Sequence, residues 1–87
     1  MKAEAILLER NKTHGSFQSN AAISQHLKSV MMTAGYRQLK PEHAEALDMI
    51  CAKISRILSG QANYYDHWQD ISGYSLLAMK ACDIQKD

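Results

Sequence analysis

Apolar residues along this chain return every three or four positions. No stretch alternates apolar with polar over a β-branched run, so the pattern predicts helices and no strand. Residues 2–11 read as a short first helix, anchored by Ile6, Leu7 and Leu8 and ended by Asn11. Thr13-His14-Gly15-Ser16 reads as a turn, with Ser16 placed to cap the next helix. Ile23, Leu27, Val30 and Ala34 then mark one stripe of a helix from Phe17 to Ala34, and Gly35 stands where a helix C-terminus favours glycine. Pro41 suits the first turn of the next helix, because the N–H it lacks has no intrahelical partner there. Ala44, Leu47, Cys51, Ile54 and Leu58, with Ile50 and Ile57 beside them, form the strongest stripe, and Gly60 is the expected stop. After the polar connection Gln61-Ala62-Asn63, Asp66 is the expected cap of a last helix. Its buried side is built by Trp68, Ile71, Ala78, Met79 and Cys82. The expected fold class is all-α, three long helices plus a short N-terminal one. No repeat, low-complexity tract or linker interrupts it, so residues 1–87 are read as a single domain.

Charge and composition narrow the function classes. Lys plus Arg is 10 and Asp plus Glu is 9, a net charge of +1, and charged residues make up 22% of the chain. That balance argues against a nucleic-acid binder working by phosphate neutralisation. The hydrophobic share of 46% is too high for a disordered chain. No apolar run approaches the ~20 residues that span a bilayer, and Met1 to Arg10 is too broken by charge for a signal peptide. Cys51 and Cys82 are too isolated for a zinc cage or a disulfide scaffold. A cytoplasmic protein that does not engage a membrane is expected. A chain this short buries only roughly 60–65% of its unfolded surface, so a homo-oligomer is expected to complete the core.

The polar residues then divide by helix face. Glu45 lies opposite the stripe of the second long helix, Asp48 lies on its flank, and Lys53 and Arg56 continue the polar side. Taken alone this is a solvated face. On the last helix His67, Asp70 and Tyr74 share the side of Ile71 and Ala78, which places an imidazole and a carboxylate on or beside the packed surface. Burying an ionised carboxylate without a partner is costly. Two readings stand: Asp70 pairs with Lys53 or Arg56 while Asp66 caps the helix, or the cluster ligates a metal. Asn20 and Ser24 interrupt the first stripe beside Phe17, so Asn20 either fastens a neighbouring turn or points into a polar cavity. His14 is a turn residue or a phosphate contact. There is no nucleophile elbow, P-loop or GxGxxG. His26, His43, Cys51 and Cys82 lack zinc spacing, and Met31, Met32 and Met49 read as apolar filler. Lys53 and Arg56 alone do not make a DNA-reading helix.

Three blocks are informative together: Thr13-His14-Gly15-x-Phe17-x-x-Asn20, then Glu45-Ala46-Leu47-Asp48-Met49-Ile50-x-x-Lys53-Ile54-x-Arg56-Ile57-Leu58-x-Gly60, then Asp66-His67-Trp68-x-Asp70-Ile71-x-Gly73-Tyr74. In them the chain resembles a short family of phages and prophages related to the MazG-like all-α nucleoside-triphosphate pyrophosphatases. The resemblance implies a MazG-like helical bundle and metal-dependent hydrolysis of a (d)NTP to (d)NMP and pyrophosphate. In that superfamily two helices offer acidic residues three or four apart, as EExxE and ExxD. Carboxylates so spaced on facing helices make an oxygen-rich site for Mg²⁺, where the metal neutralises the triphosphate and helps water attack phosphorus. Glu45-x-x-Asp48 resembles the tail of the first pattern. Asp66-His67-Trp68-Gln69-Asp70 resembles the second, with His67 where a glutamate is expected.

By that resemblance the metal ligands are Glu45, Asp48, Asp70, Asp66 and His67, and the ion is Mg²⁺, or Mn²⁺ given the imidazole. The implied nucleotide contacts are Lys53, Arg56, Asn20 and His14. Ala44 and Ala46 flank Glu45 where a paired glutamate is typical, which leaves room for one metal rather than several. The competing reading is a bundle that has lost catalysis and binds a nucleotide or a host protein. Relatives of the MazG-like type imply a homodimer or homotetramer, in the host cytoplasm where a phage encodes the chain.

Overall fold

Each helix of this protein starts and stops for a local chemical reason. The computed structural model describes residues 3–4 and 16–83. Three long helices, α1 (Phe17–Met31), α3 (Pro41–Arg56) and α4 (Tyr65–Lys80), are joined by a one-turn helix α2 (Ala34–Arg37) and a wide turn, Ile57–Gln61. No strand occurs among the described residues, so the chain is all-α. The helix expected over residues 2–11 and the turn Thr13-His14-Gly15 lie outside the described residues, apart from helical backbone at 3–4.

Ser16 caps α1 as expected, its Oγ accepting the Ser19 N–H at 3.4 Å. The end of α1 departs from expectation. It stops at Met31, and Gly35 is not its terminus but a residue inside α2. The reason is Thr33, which takes an extended backbone and whose Oγ1 accepts the Tyr36 N–H at 3.1 Å, starting a new helix instead of prolonging the old one. Pro41 opens α3 as expected. Gly60 also acts as the stop, at φ +121°, a left-handed conformation that glycine adopts without strain. At α4 the expected cap is corrected: the helix begins at Tyr65, and Asp66 sits within its first turn, where its charge faces the positive end of the helix dipole. The Trp68 indole N–H donates to the Ala62 carbonyl at 2.8 Å and closes the connection.

Helix α3 is the middle of the molecule, packed against α1 and α4, which scarcely touch one another. Both pairs are antiparallel. Lys53 meets Asp70 and His43 meets Ala78 on one side, while Ser55 meets Asn20 on the other. At the open end of the α3–α4 hairpin, Lys40 Nζ donates to the Ala81 carbonyl at 2.7 Å. Because α3 has neighbours on two sides, its buried positions fall on two lines rather than on one stripe. Ala46, Cys51 and Ser55 are buried, whereas Leu47, Ile54 and Leu58, read as core from the pattern, are exposed between those lines. On α4 the buried residue is His67. Ile71 and Ala78 are half-buried, and Trp68, Met79 and Cys82 are exposed rather than inward. Val30 and Ala34 of the first stripe are exposed as well. Among the described residues no helix is long and apolar enough to cross a membrane.

Candidate functional site

The two sides of α3 divide the polar residues between them. Toward α1 and α2 stands Asp48, whose Oδ1 accepts the Tyr36 hydroxyl at 2.7 Å. That hydrogen bond, followed by burial and by the charges of Asp48 and Glu45, pushes the Tyr36 phenol above its ordinary range. Lys28, Met31 and Met32 complete a cleft of about 170 Å³ around the pair. On the same side the Cys51 thiol is pushed up by burial, with Lys28 acting in the opposite direction and Asp48 adding to the rise. Deeper along α3, Ser55 Oγ lies 2.8 Å from both Asn20 Oδ1 and the Ala52 carbonyl, which share its single proton. Asn20 therefore fastens α1 to α3, a bond between helices in place of the neighbouring turn or polar cavity expected.

Toward α4 stands Lys53, whose Nζ lies 2.8 Å from Asp70 Oδ2. The lysine side chain is 19% exposed and the carboxylate 44%, so the ion pair is partly shielded from water. On this side one cleft is bordered by Glu42, Glu45, Ala46, Tyr74 and Leu77, and a second by Gln69, Asp70, Gly73, Tyr74, Leu76 and Leu77. Tyr74 and Leu77 separate the glutamates from the aspartate. His67 is buried at the start of α4. Its Nε2–H donates to Gln61 Oε1 at 3.3 Å, and its ring meets Tyr64 edge-on at a centroid distance of 4.8 Å. Asp66 is exposed in the first turn. At the far end, His43 Nε2–H donates to the Ala78 carbonyl at 2.9 Å, with Cys82 Sγ 3.6 Å from the same nitrogen.

The donor set implied for a metal can be weighed on these contacts. Asp48 looks toward α2 and is occupied by a phenol. Asp70 looks toward α3 from the opposite side and is occupied by an ammonium. His67 is turned into the connection before α4. Among the described residues no group of three or more His, Cys, Asp or Glu side chains is gathered to hold a metal ion. The contacts do not fit a site shared by Glu45, Asp48 and Asp70. The implied nucleotide contacts are similarly dispersed, with Lys53 on Asp70, Asn20 on Ser55 and Arg56 half-buried on α3. His14 lies outside the described residues. The Lys53–Asp70 pair is the bland alternative that helix geometry allowed. The solvated-face reading of α3 holds for Glu45, which is exposed, and is corrected for Asp48, Lys53 and Arg56, which are half-buried. Tyr36 is the polar partner that the pattern missed. It follows Gly35, read as the stop of the preceding helix, and the available signal was Thr33 as a helix cap three residues earlier.

Among known families, residues 1–82 match the one described as Domain of unknown function (DUF6378). The chain belongs to this family. No significant match was found among curated proteins or among solved structures. The DUF6378 match takes in all the described helices and every candidate residue from His14 to Asp70. The residues of the Lys53–Asp70 and Tyr36–Asp48 contacts lie within the matched span.

Proposed function

We propose that this DUF6378 chain is a catalytically degenerate helical module that binds a partner and does not turn over nucleotides. One observation carries the reading: Asp70 is held by Lys53 at 2.8 Å. An aspartate so paired adds no uncompensated charge for a cation, and its lysine is spent on it and not on a phosphate. Asp48, held by Tyr36 on the opposite side of α3, supports the same reading. The balance of apolar surface favours a protein partner over a nucleotide. Only Ala46 and Cys51 are buried apolar residues among those described, while Val30, Leu47, Leu58, Trp68 and Leu77 are exposed. Large apolar side chains left uncovered around so thin an interior suit contact with a protein better than contact with a nucleotide. The compartment proposed is the cytoplasm, in keeping with Cys51 and Cys82 both being free thiols.

Metal-dependent hydrolysis of a (d)NTP with Mg²⁺ or Mn²⁺ is the second reading, favoured by Glu42, Glu45 and Asp70 bordering adjoining clefts on the α3–α4 side. Pyrophosphate release from a panel of nucleoside triphosphates, with each metal, separates the two. The module reading expects no turnover and no change in melting temperature with any nucleotide. Turnover that disappears in both Glu45→Gln and Asp70→Asn establishes hydrolysis instead.

A further inference from the structure

Helix α4 meets α3 with one face, which carries Asp70, and leaves a second face without charged residues exposed. At about 100° per residue, His67, Tyr74 and Ala78 look inward. On the opposite side Tyr65, Trp68, Ser72, Leu76 and Met79 fall within a sector of about 80°. The four large side chains of that outer sector are exposed, from Leu76 at 46% to Tyr65 at 73%. Their spacing is three, four, four and three, which reads the same from either end. Ser72 is the centre: Trp68 and Leu76 stand four residues away on each side, and Tyr65 and Met79 stand seven away.

We propose that this face pairs with the same face of a second copy of the chain, the two α4 helices lying antiparallel across a twofold axis at Ser72. A twofold interface must be complementary to itself, and this one is. Each Trp68 meets the partner's Leu76, and each Tyr65 meets the partner's Met79, a thioether against an aromatic ring. Ser72 meets the partner's Ser72, a small residue where the helix axes come closest.

Charge supports the same direction. Asp66 in the first turn and Lys80 in the last turn are exposed on one flank of the sector. In the antiparallel register they come level with each other across the axis to within two residues, about 3 Å of helix rise. A parallel pair sends this flank to opposite sides of the seam in the two chains and brings no opposite charges level there. The exposed side-chain area is on the order of 400 Å² per chain, about half of what a standard-sized interface buries on each partner. The pairing is therefore concentration-dependent, forming between about 10 µM and 1 mM chain.

Pairing through α4 draws on Trp68, part of the apolar surface behind the proposed partner-binding reading, and so rests on that reading. Chain mass is read without nucleotide, so a failure of pairing is distinguishable from the outcome of the nucleotide assay. Light scattering of the full chain across that concentration range is expected to move from the mass of one chain to the mass of two. Leu76→Glu is expected to hold it at one, with helicity by circular dichroism unchanged. In a Cys82→Ser background, Ser72→Cys is expected to give a covalent dimer under mild oxidation by copper–phenanthroline. A chain that stays single at 1 mM, a dimer that survives Leu76→Glu, or a Trp68→Cys variant that cross-links to itself while Ser72→Cys does not, overturns the proposal. So does a face that is covered only when a different protein is bound.

Discussion

Ser55 has no solvent exposure, and it is a hydroxyl on the central helix of a small fold. Its two acceptors, Asn20 Oδ1 and the Ala52 carbonyl, explain how a polar atom can sit there without cost. Lys53 and Asp70 do the corresponding work on the other side of α3. Because the pair is partly shielded, Lys53→Ala and Asp70→Ala are each expected to cost about 0.5–1 kcal/mol in urea unfolding. The double variant is expected to lose clearly less than the two single losses combined. Strict additivity in that cycle removes the ion pair from the account of the fold. Tyr36 gives a prediction with a definite sign. Its phenol holds its proton more tightly in the folded than in the unfolded chain, chiefly through the bond to Asp48. This contribution to stability is complete below pH 10, the ordinary phenol value, and is lost as pH rises through the higher folded value. Ultraviolet titration is expected to show a late tyrosinate step, and Tyr36→Phe is expected to abolish it.

At the scale of elements, the connections determine where the helices end. Gly60 at φ +121° has open space around it, so a methyl group there meets nothing. The penalty of Gly60→Ala is conformational alone, about 1–2 kcal/mol. Thermal unfolding should show that loss, while Gly73→Ala, in the body of α4 with equally open surroundings, should be neutral or stabilising. The sequence made these elements legible where a residue acts by itself: Pro41 starting α3, Gly60 ending it, Ser16 capping α1. Legibility failed where two local devices competed, as when Thr33 took over the chain before Gly35 was reached. It failed again in deciding which face is inside. Periodicity finds the most apolar stripe, and Leu47, Ile54 and Leu58 supply it, yet a helix clasped on two sides buries its flanks instead. Acidic spacing one turn apart was correctly located on α3 and α4. Whether those side chains converge depends on the rotation of each helix about its own axis, and no spacing rule reports that rotation.

At the largest scale, the described residues form a layer of three long helices with a thin interior. Two antiparallel contacts hold it, and the α3–α4 pair is the more extensive. The closed turn at Gly60 secures one end of that pair, and the Lys40 side chain on the Ala81 carbonyl secures the other. A helix terminus ordinarily unwinds first, because its last carbonyls have no intrahelical donor. Here the lysine supplies a donor to one of them. Amide exchange in the final turn of α4 should consequently be slow in the parent chain and accelerate in Lys40→Ala, with α1 exchanging earlier than either helix of the pair. The molecule then opens like a book whose clasped pages, α3 and α4, stay shut while the cover, α1, swings away first.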